Sequence, residues 1–285
     1  MHPTIVVNDD DGKLPYKTVL AKFKADVAHL GLDEPFNILI DLLRDEISLF
    51  NYIIETDTIY SWVMSASTIH SRIVGVDWVC YGDPSYIKRK CPAQWFAIAF
   101  PNMVHFGLTF PRASSVDYAT QVLNDRRDIR SVSVRDGSII LDSKNFFDAL
   151  LQSKVDALTI ELDFEKYTTP NSVKNVKNVI DNLSAYLKKD RLEELQVCGD
   201  LVDHVMGPLS ACKNIVHLML RGGDLSGSTS MYRLPESLGE LAITECSFKP
   251  RFDWTNLLQV NNPKTRLAHN LQHLWLGQGI EKSDT

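Results

Sequence analysis

The stretch that decides the fold is NIVHLML, residues 214–220. Its apolar residues Ile215, Leu218 and Leu220 are spaced at i, i+3 and i+5, which matches neither a helical period nor simple strand alternation. Leu218 and Leu220 alternate across a short strand, and Ile215 anchors the turn that leads into it. The pattern therefore predicts a short strand that begins just after a buried apolar residue.

The same spacing recurs along most of the chain. Because 44% of the residues are hydrophobic, a three-position pattern also arises by chance. The separation of 23 to 37 residues between successive starts, and the segments in between, therefore carry more weight than the pattern itself. The predicted buried triplets are Ile73/Val76/Trp78, Met103/Phe106/Leu108, Ile129/Val132/Val134, Val155/Leu158/Ile160, Leu192/Leu195/Val197, Ile215/Leu218/Leu220, Leu238/Leu241/Ile243 and Leu271/Leu274/Leu276.

Segments with the period of an amphipathic helix separate several of these strands. They lie at residues 114–126, 142–154, 169–190 and 200–212. The third is the longest, which explains the 37-residue gap between two triplets. The predicted core-facing stripes are Val116/Ala119/Val122/Leu123, Phe146/Phe147/Leu150/Leu151, Val173/Val176/Ile180/Leu183/Leu187 and Val202/Val205/Leu209.

Residues 73–279 resemble the leucine-rich repeat family, most clearly in the lines LEELQV, NIVHLML, LGELAI and LQHLWL. The resemblance implies an α/β solenoid, with parallel strands on the concave side and helices on the convex side. Cys246 stands at the family's Asn/Cys position, eight residues after the first apolar residue of its repeat. Other repeats place Gly, Asp, Pro or Tyr there, so an ordinary α/β domain stays the alternative. We expect the solenoid to span residues 73–285.

Residues 1–72 differ from the repeats, and we expect them to form a helical N-terminal cap. The stretch 45–72, DEISLFNYIIETDTIYSWVMSASTIHSR, resembles an F-box, a short helical domain that often precedes leucine-rich repeats in adaptors of cullin-type ubiquitin ligases. The usual Leu-Pro opening of the F-box is missing. The resemblance implies that Leu49, Phe50 and Ile53 bind a Skp1-type adaptor protein. A cap without a ligase role is the alternative.

Composition and motifs restrict the other function classes. The net charge of −6 gives no nucleic-acid footprint, and no apolar run is long enough to span a membrane. Five scattered cysteines without a CxxC pair, and no secretory signal, predict a reduced intracellular protein of the cytoplasm or nucleus. No P-loop, HExxH or GxSxG motif occurs, so the sequence predicts no catalytic, cofactor or metal site.

The outward positions of the strands are the candidate binding residues, because side chains alternate between the two faces of a strand. Their mixed polarity with a few large apolar groups suits a protein partner. We therefore expect a non-enzymatic recognition scaffold, with a ubiquitin-ligase adaptor and an enzyme with an unrecognised site as alternatives. The predicted partner-binding residues on the concave face are Glu194, Gln196, His217, Met219, Arg221, Glu240, His273 and Trp275.

Overall fold

The computed structural model describes residues 2–8, 16–41, 69, 71–79, 100–109, 113–135, 143–162, 170–225, 234–248 and 270–277. The chain divides into two compact units, Met1–Ile140 with Asp148–Lys154, and Leu141–Phe147 with Val155–Thr285. We call them the first and the second unit.

The first unit contains five strands, which pair in chain order and run parallel to one another. Parallel neighbours need a crossover connection, so each strand is separated from the next by a longer segment. The strands are β1 (Thr4–Asn8), β2 (Phe36–Asp41), β3 (Ile73–Val79), β4 (His105–Thr109) and β5 (Ser131–Arg135).

The second unit also contains five strands that pair in chain order and in parallel. They are β6 (Ala157–Leu162), β7 (Glu194–Gly199), β8 (His217–Arg221), β9 (Glu240–Thr244) and β10 (His273–Leu276). The protein is thus an α/β protein whose ten parallel strands are compatible with a solenoid-like fold. The predicted parallel strands are confirmed.

Five helices lie in the described parts of the connections, and each buries an apolar stripe. Ser143 precedes the third helix, and its hydroxyl accepts a hydrogen bond from the backbone N–H of Phe146 at 3.4 Å. That contact satisfies one of the free donors at the start of the helix. The helices are α1 (Tyr16–Ala28), α2 (Ala113–Asp125), α3 (Lys144–Gln152), α4 (Pro170–Leu187) and α5 (Leu201–Leu209).

The predicted stripes match the buried helix faces closely where their side chains are described. Ala119, Phe146 and Val205 are buried as expected. In α4 the buried face is rotated, because Val179 is buried and Ile180 is only half-buried. Val116, Val173 and Val176 lie outside the side chains that the structure describes.

The predicted buried triplets are confirmed in the first seven repeats, where no residue of a triplet is more than 3% exposed. Register pairs Leu195 with Leu218, Leu218 with Leu241, and Leu241 with Leu274. The eighth triplet is a correction, since Leu274 is half-buried and Leu276 is 44% exposed. Within the described residues β10 pairs with one strand, β9.

The helical cap predicted for residues 1–72 is corrected over its described residues. Helix α1 forms as expected, but β1 and β2 flank it, and β2 pairs with both β1 and β3. Phe36 and Ile38 are buried and alternate with half-buried Asn37, which is the period of a strand. The unbroken apolar run from Ile38 to Ile40 fits both the helical period and the strand period, so the sequence pattern could not distinguish a strand from a helix here.

One backbone contact recurs at the same place in successive repeats. The carbonyl oxygen of the residue just before a strand accepts hydrogen bonds from two consecutive N–H groups at the start of the next repeat's strand. Such an acceptor precedes β4, β6, β7, β8 and β9. The five acceptors, each with two bonds of 2.7–3.1 Å, are Val104, Asp156, Glu193, Val216 and Gly239.

We expect Leu218→Ala to lower the free energy of unfolding by about 2–5 kcal/mol, because it leaves a cavity in a packed core. The matched control is Met219→Ala on the same strand, whose side chain is 37% exposed and should cost less than about 1 kcal/mol. Urea unfolding monitored by circular dichroism measures both values. Equal losses for the two variants would show that the register assigned to β8 is wrong.

Candidate functional site

The candidate site is the outward face of strands β7–β10 in the second unit. In β8 and β9 the inward residues are buried and the outward ones are exposed or half-buried. All eight residues predicted to bind a partner lie on this face, with Ala242 and Thr244. We call this surface the open face, and it consists of Glu194, Gln196, His217, Met219, Arg221, Glu240, Ala242, Thr244, His273 and Trp275.

Parallel register orders these side chains into two rows that cross the strands. The polar row runs Glu194–His217–Glu240–His273. The apolar row lies two residues further along each strand and runs Gln196–Met219–Ala242–Trp275. Neighbouring strands lie about 4.8 Å apart, so consecutive members of a row are direct neighbours.

Glu240 lies at the centre of the polar row, between two histidines. Its Oε2 is 2.9 Å from Nδ1 of His217, and its Oε1 is 3.2 Å from Nδ1 of His273. The hydrogen bond from His217 is the main cause that holds the pKa of the Glu240 carboxyl below its ordinary value. The two histidine rings therefore hold the Glu240 carboxylate in position. Each carboxylate oxygen can accept a further hydrogen bond, so Glu240 is still able to bind another donor.

Arg221 lies beside the two rows, where its charge is already paired. Its Nε is 3.0 Å and its Nη2 is 3.4 Å from the two carboxylate oxygens of Glu245. This hydrogen bond raises the pKa of the Arg221 guanidinium. Because both side chains are about half exposed, the pair contributes little to stability. The predicted contact residue is thus oriented by its neighbour in the next repeat.

The apolar row forms a depression in the open face. Ala242 is small and stands between Met219, which is 37% exposed, and Trp275, which is 65% exposed. A cavity of about 590 Å³ opens here, lined by both rows. Two large apolar side chains exposed on one face, two strands apart, are a common sign of an interaction surface.

A second polar cluster lies in the first unit, across β3, β4 and β5. His105 Nδ1 is 3.0 Å from the hydroxyl of Ser131, and His105 Nε2 is 3.2 Å from Oδ1 of Asp77. Ser133 donates a longer hydrogen bond to the same Asp77 oxygen at 3.4 Å. Gly107 makes the room, because a Cβ there would lie only 1.8 Å from Oδ1 of Asp77.

Opposing effects determine the ionisation of Asp77. Burial alone raises its pKa, but the hydrogen bond and charge of His105, together with Arg135 and Ser133, lower it further than burial raises it. The pKa of Asp77 therefore lies below the ordinary carboxyl value, and the side chain is ionised at neutral pH. Sequence reasoning missed Asp77. The signal was Gly107, since a glycine within a strand marks a close approach of another group.

A serine that is hydrogen-bonded to a histidine, which in turn is hydrogen-bonded to an aspartate, is the arrangement of a catalytic triad. Acyl transfer also needs donors for the oxyanion, usually backbone N–H groups that are not otherwise bonded. Strand β4, which carries His105, pairs with β3 on one side and with β5 on the other, so its backbone N–H groups are engaged in the sheet. The hydrogen bonds of the cluster join β3, β4 and β5 and so help to hold these strands in register.

Other predictions concern residues outside this site. The candidate adaptor-binding residues Leu49, Phe50 and Ile53 lie outside the described residues, so that function stays a prediction. In the described ranges no group of three or more histidine, cysteine or acidic residues is arranged to hold a metal ion. None of the described helices is both long and apolar enough to cross a membrane. Cys198, Cys212 and Cys246 are buried free thiols.

We expect Asp77→Asn to lower the free energy of unfolding at pH 7 by about 1–2 kcal/mol, because it removes a charged hydrogen-bond acceptor. The lowered pKa of Asp77 means that its contribution is present above the unfolded-state pKa near 4 and is lost as the pH falls through the folded-state value. Urea unfolding at pH 7, 5 and 3 should thus show a difference from the unmodified protein that shrinks with acid. Asp148→Asn, on the exposed side of α3, controls for the lost charge. A difference that stays constant with pH would contradict the prediction.

No protein-family model matches this chain, and a comparison with curated proteins found no match either.

Proposed function

We propose that this protein is a non-enzymatic recognition scaffold of the leucine-rich repeat type, which binds a protein partner on its open face. The observation that carries the proposal is the apolar row, in which Met219 and Trp275 stand exposed on either side of Ala242. Trp and Met are enriched at the centres of protein interfaces, and Trp is among the commonest binding hot spots.

The surroundings of Cys246 support the assignment to the leucine-rich repeat type. Its thiol is fully buried and donates a hydrogen bond to the carbonyl of Leu220 in the preceding repeat at 3.6 Å. That bond joins the turn after one strand to the neighbouring strand, which is what the family's Asn/Cys position implies. Burial raises the pKa of this thiol, so it stays protonated and can donate.

The equivalent position one repeat earlier is Gly223. Close packing explains why glycine stands there in place of asparagine or cysteine. A Cβ on Gly223 would lie 2.3 Å from Cβ of Val202 in α5. The turn therefore packs directly against the helix and leaves no room for an asparagine. The departure from the family's pattern at this position follows from close packing, so it does not count against the repeat type.

The openness of the site favours a protein over a small molecule. Small-ligand pockets enclose most of the surface of their ligand. Here Trp275 is 65% exposed, and most of the lining residues come from the outward positions of four adjacent strands. A broad face with an apolar centre and a charged rim is typical of a protein interface.

We expect the double variant Met219→Ala/Trp275→Ala to lose its partner while its thermal midpoint stays nearly unchanged, because both side chains are exposed. The control is Leu32→Ala, which removes a 90% exposed apolar side chain from the first unit. Quantitative mass spectrometry of proteins captured by each variant identifies those lost from the double variant alone. Each such protein, once purified, should bind the double variant at least about tenfold more weakly than it binds the unmodified protein, which is a loss of about 1.4 kcal/mol of binding free energy. Equal capture by both variants would contradict the proposal.

The enzyme alternative has one observation in its favour, the relay of Ser131, His105 and Asp77. A fluorophosphonate probe reacts with serine hydroxyls that a neighbouring base has activated. Because the relay lacks described oxyanion donors, we expect no labelling of the folded protein. Ser131→Ala provides the matched control. Labelling that this substitution abolishes would contradict the non-enzymatic proposal.

A further inference from the structure

We propose that the open face binds an extended segment of its partner that carries a Lys or Arg side chain two positions away from a large apolar side chain. The basic group lies on the polar row near Glu194 and Glu240, and the apolar group enters the depression between Met219 and Trp275. This inference rests on the proposed function and specifies the chemistry of the partner.

The first support is charge. At the outward positions of the described strands β6–β10, three carboxylates stand against one Lys or Arg, which is Arg221. The carboxylates are Glu161, Glu194 and Glu240. Arg221 is occupied by Glu245 through two hydrogen bonds. The remaining negative charge favours a cationic partner group, and charge complementarity also repels acidic segments.

The second support is the preorganisation of Glu240. Both of its carboxylate oxygens already accept a bond from a histidine, which holds the carboxylate at the centre of the polar row. A partner cation therefore meets an acceptor that loses little rotational freedom on binding. Glu194 lies on the far side of His217 in the same row, so a second carboxylate is two strands away.

The third support is the match of spacing between the two rows. Glu240 and Ala242 are two residues apart on one strand, and so are His273 and Trp275. An extended partner segment also places every second side chain on the same side, at about 6.6–6.8 Å. A basic residue over the polar row thus brings the side chain two positions away over the apolar row. There it covers Trp275, whose ring can also attract a cation.

The test begins with a displayed library of random nine-residue peptides selected on the full-length protein. We expect enriched peptides to carry Lys or Arg two positions before or after Leu, Ile, Met, Phe, Tyr or Trp. Synthetic versions are then measured by fluorescence anisotropy at 50 and 200 mM salt. Affinity should fall with salt, because the charges of an open surface are screened. Replacing the basic residue of the peptide by Glu should weaken binding at least about tenfold.

Variants of the protein test the two rows separately. Glu240→Gln should weaken binding of the enriched peptide and reduce its salt dependence, whereas Trp275→Ala should weaken binding and leave the salt dependence nearly unchanged. Asp203→Asn is the matched control, since it removes a negative charge from the exposed side of α5. Glu240→Lys combined with the peptide in which Lys is replaced by Glu should restore part of the affinity.

The outcomes separate this inference from the proposed function. Peptides without basic residues, which bind through Trp275 and ignore Glu240→Gln, overturn the inference and leave the protein-recognition role intact. Enriched acidic peptides, or no enriched peptide at all, also overturn it. A dimer in sedimentation velocity that Trp275→Ala abolishes would show that a second copy occupies the face, which overturns it as well. If the unmodified protein selects no peptide, and the double variant Met219→Ala/Trp275→Ala captures the same proteins as the control, the proposed function is contradicted too.

Discussion

The fold depends on one backbone contact, the carbonyl oxygen before a strand that accepts two consecutive N–H groups from the next repeat. It occurs at Val104, Asp156, Glu193, Val216 and Gly239. Each bond contributes only about 0.5–1.5 kcal/mol net, but an unpaired buried backbone group would cost more. Because both N–H groups must find the same oxygen, a slip by one residue breaks both bonds and turns the apolar side chains outward. The contact therefore fixes register, and register creates the two rows of the open face.

A second contact between successive strands joins the turn before β7 to the turn before β8. Asp190 adopts a positive φ of 55°, a conformation that an Asp side chain tolerates better than most. Its Oδ1 accepts bonds from the N–H groups of Lys213 and Asn214, while the Asn214 side chain donates to the Asp190 carbonyl. The turns before two successive strands are thus joined by side-chain hydrogen bonds as well as by the backbone contact.

The sequence predicts the repeats well because their information is local. Ile215, Leu218 and Leu220 show the strand and its inward face by spacing alone, and equal spacing in each repeat sets the register. The outward residues follow by alternation. Arg126 could not be predicted this way. It reads as a surface charge, yet it is buried and donates to the carbonyls of Phe100 and Met103 and to Asp128. The two carbonyls become neighbours of Arg126 only after folding, and the same holds for Asp77 and Ser131 around His105.

The two polar clusters differ in what surrounds them. His105 and Asp77 are 25% and 30% exposed and form hydrogen bonds within their cluster, so a partner that covered them would gain few new hydrogen bonds. Glu240 is also hydrogen-bonded, but beside it Trp275 is 65% exposed.

The energetic difference between these groups follows from burial. A fully covered Trp buries up to about 250 Å², so covering the exposed part removes roughly 160 Å² from water, or about 4 kcal/mol before the costs of association. The exposed ion pairs at Glu240 contribute much less, because water screens them. For the partner segment that we propose, we therefore expect affinity to come mainly from the apolar row, and selectivity among segments to come from the polar row.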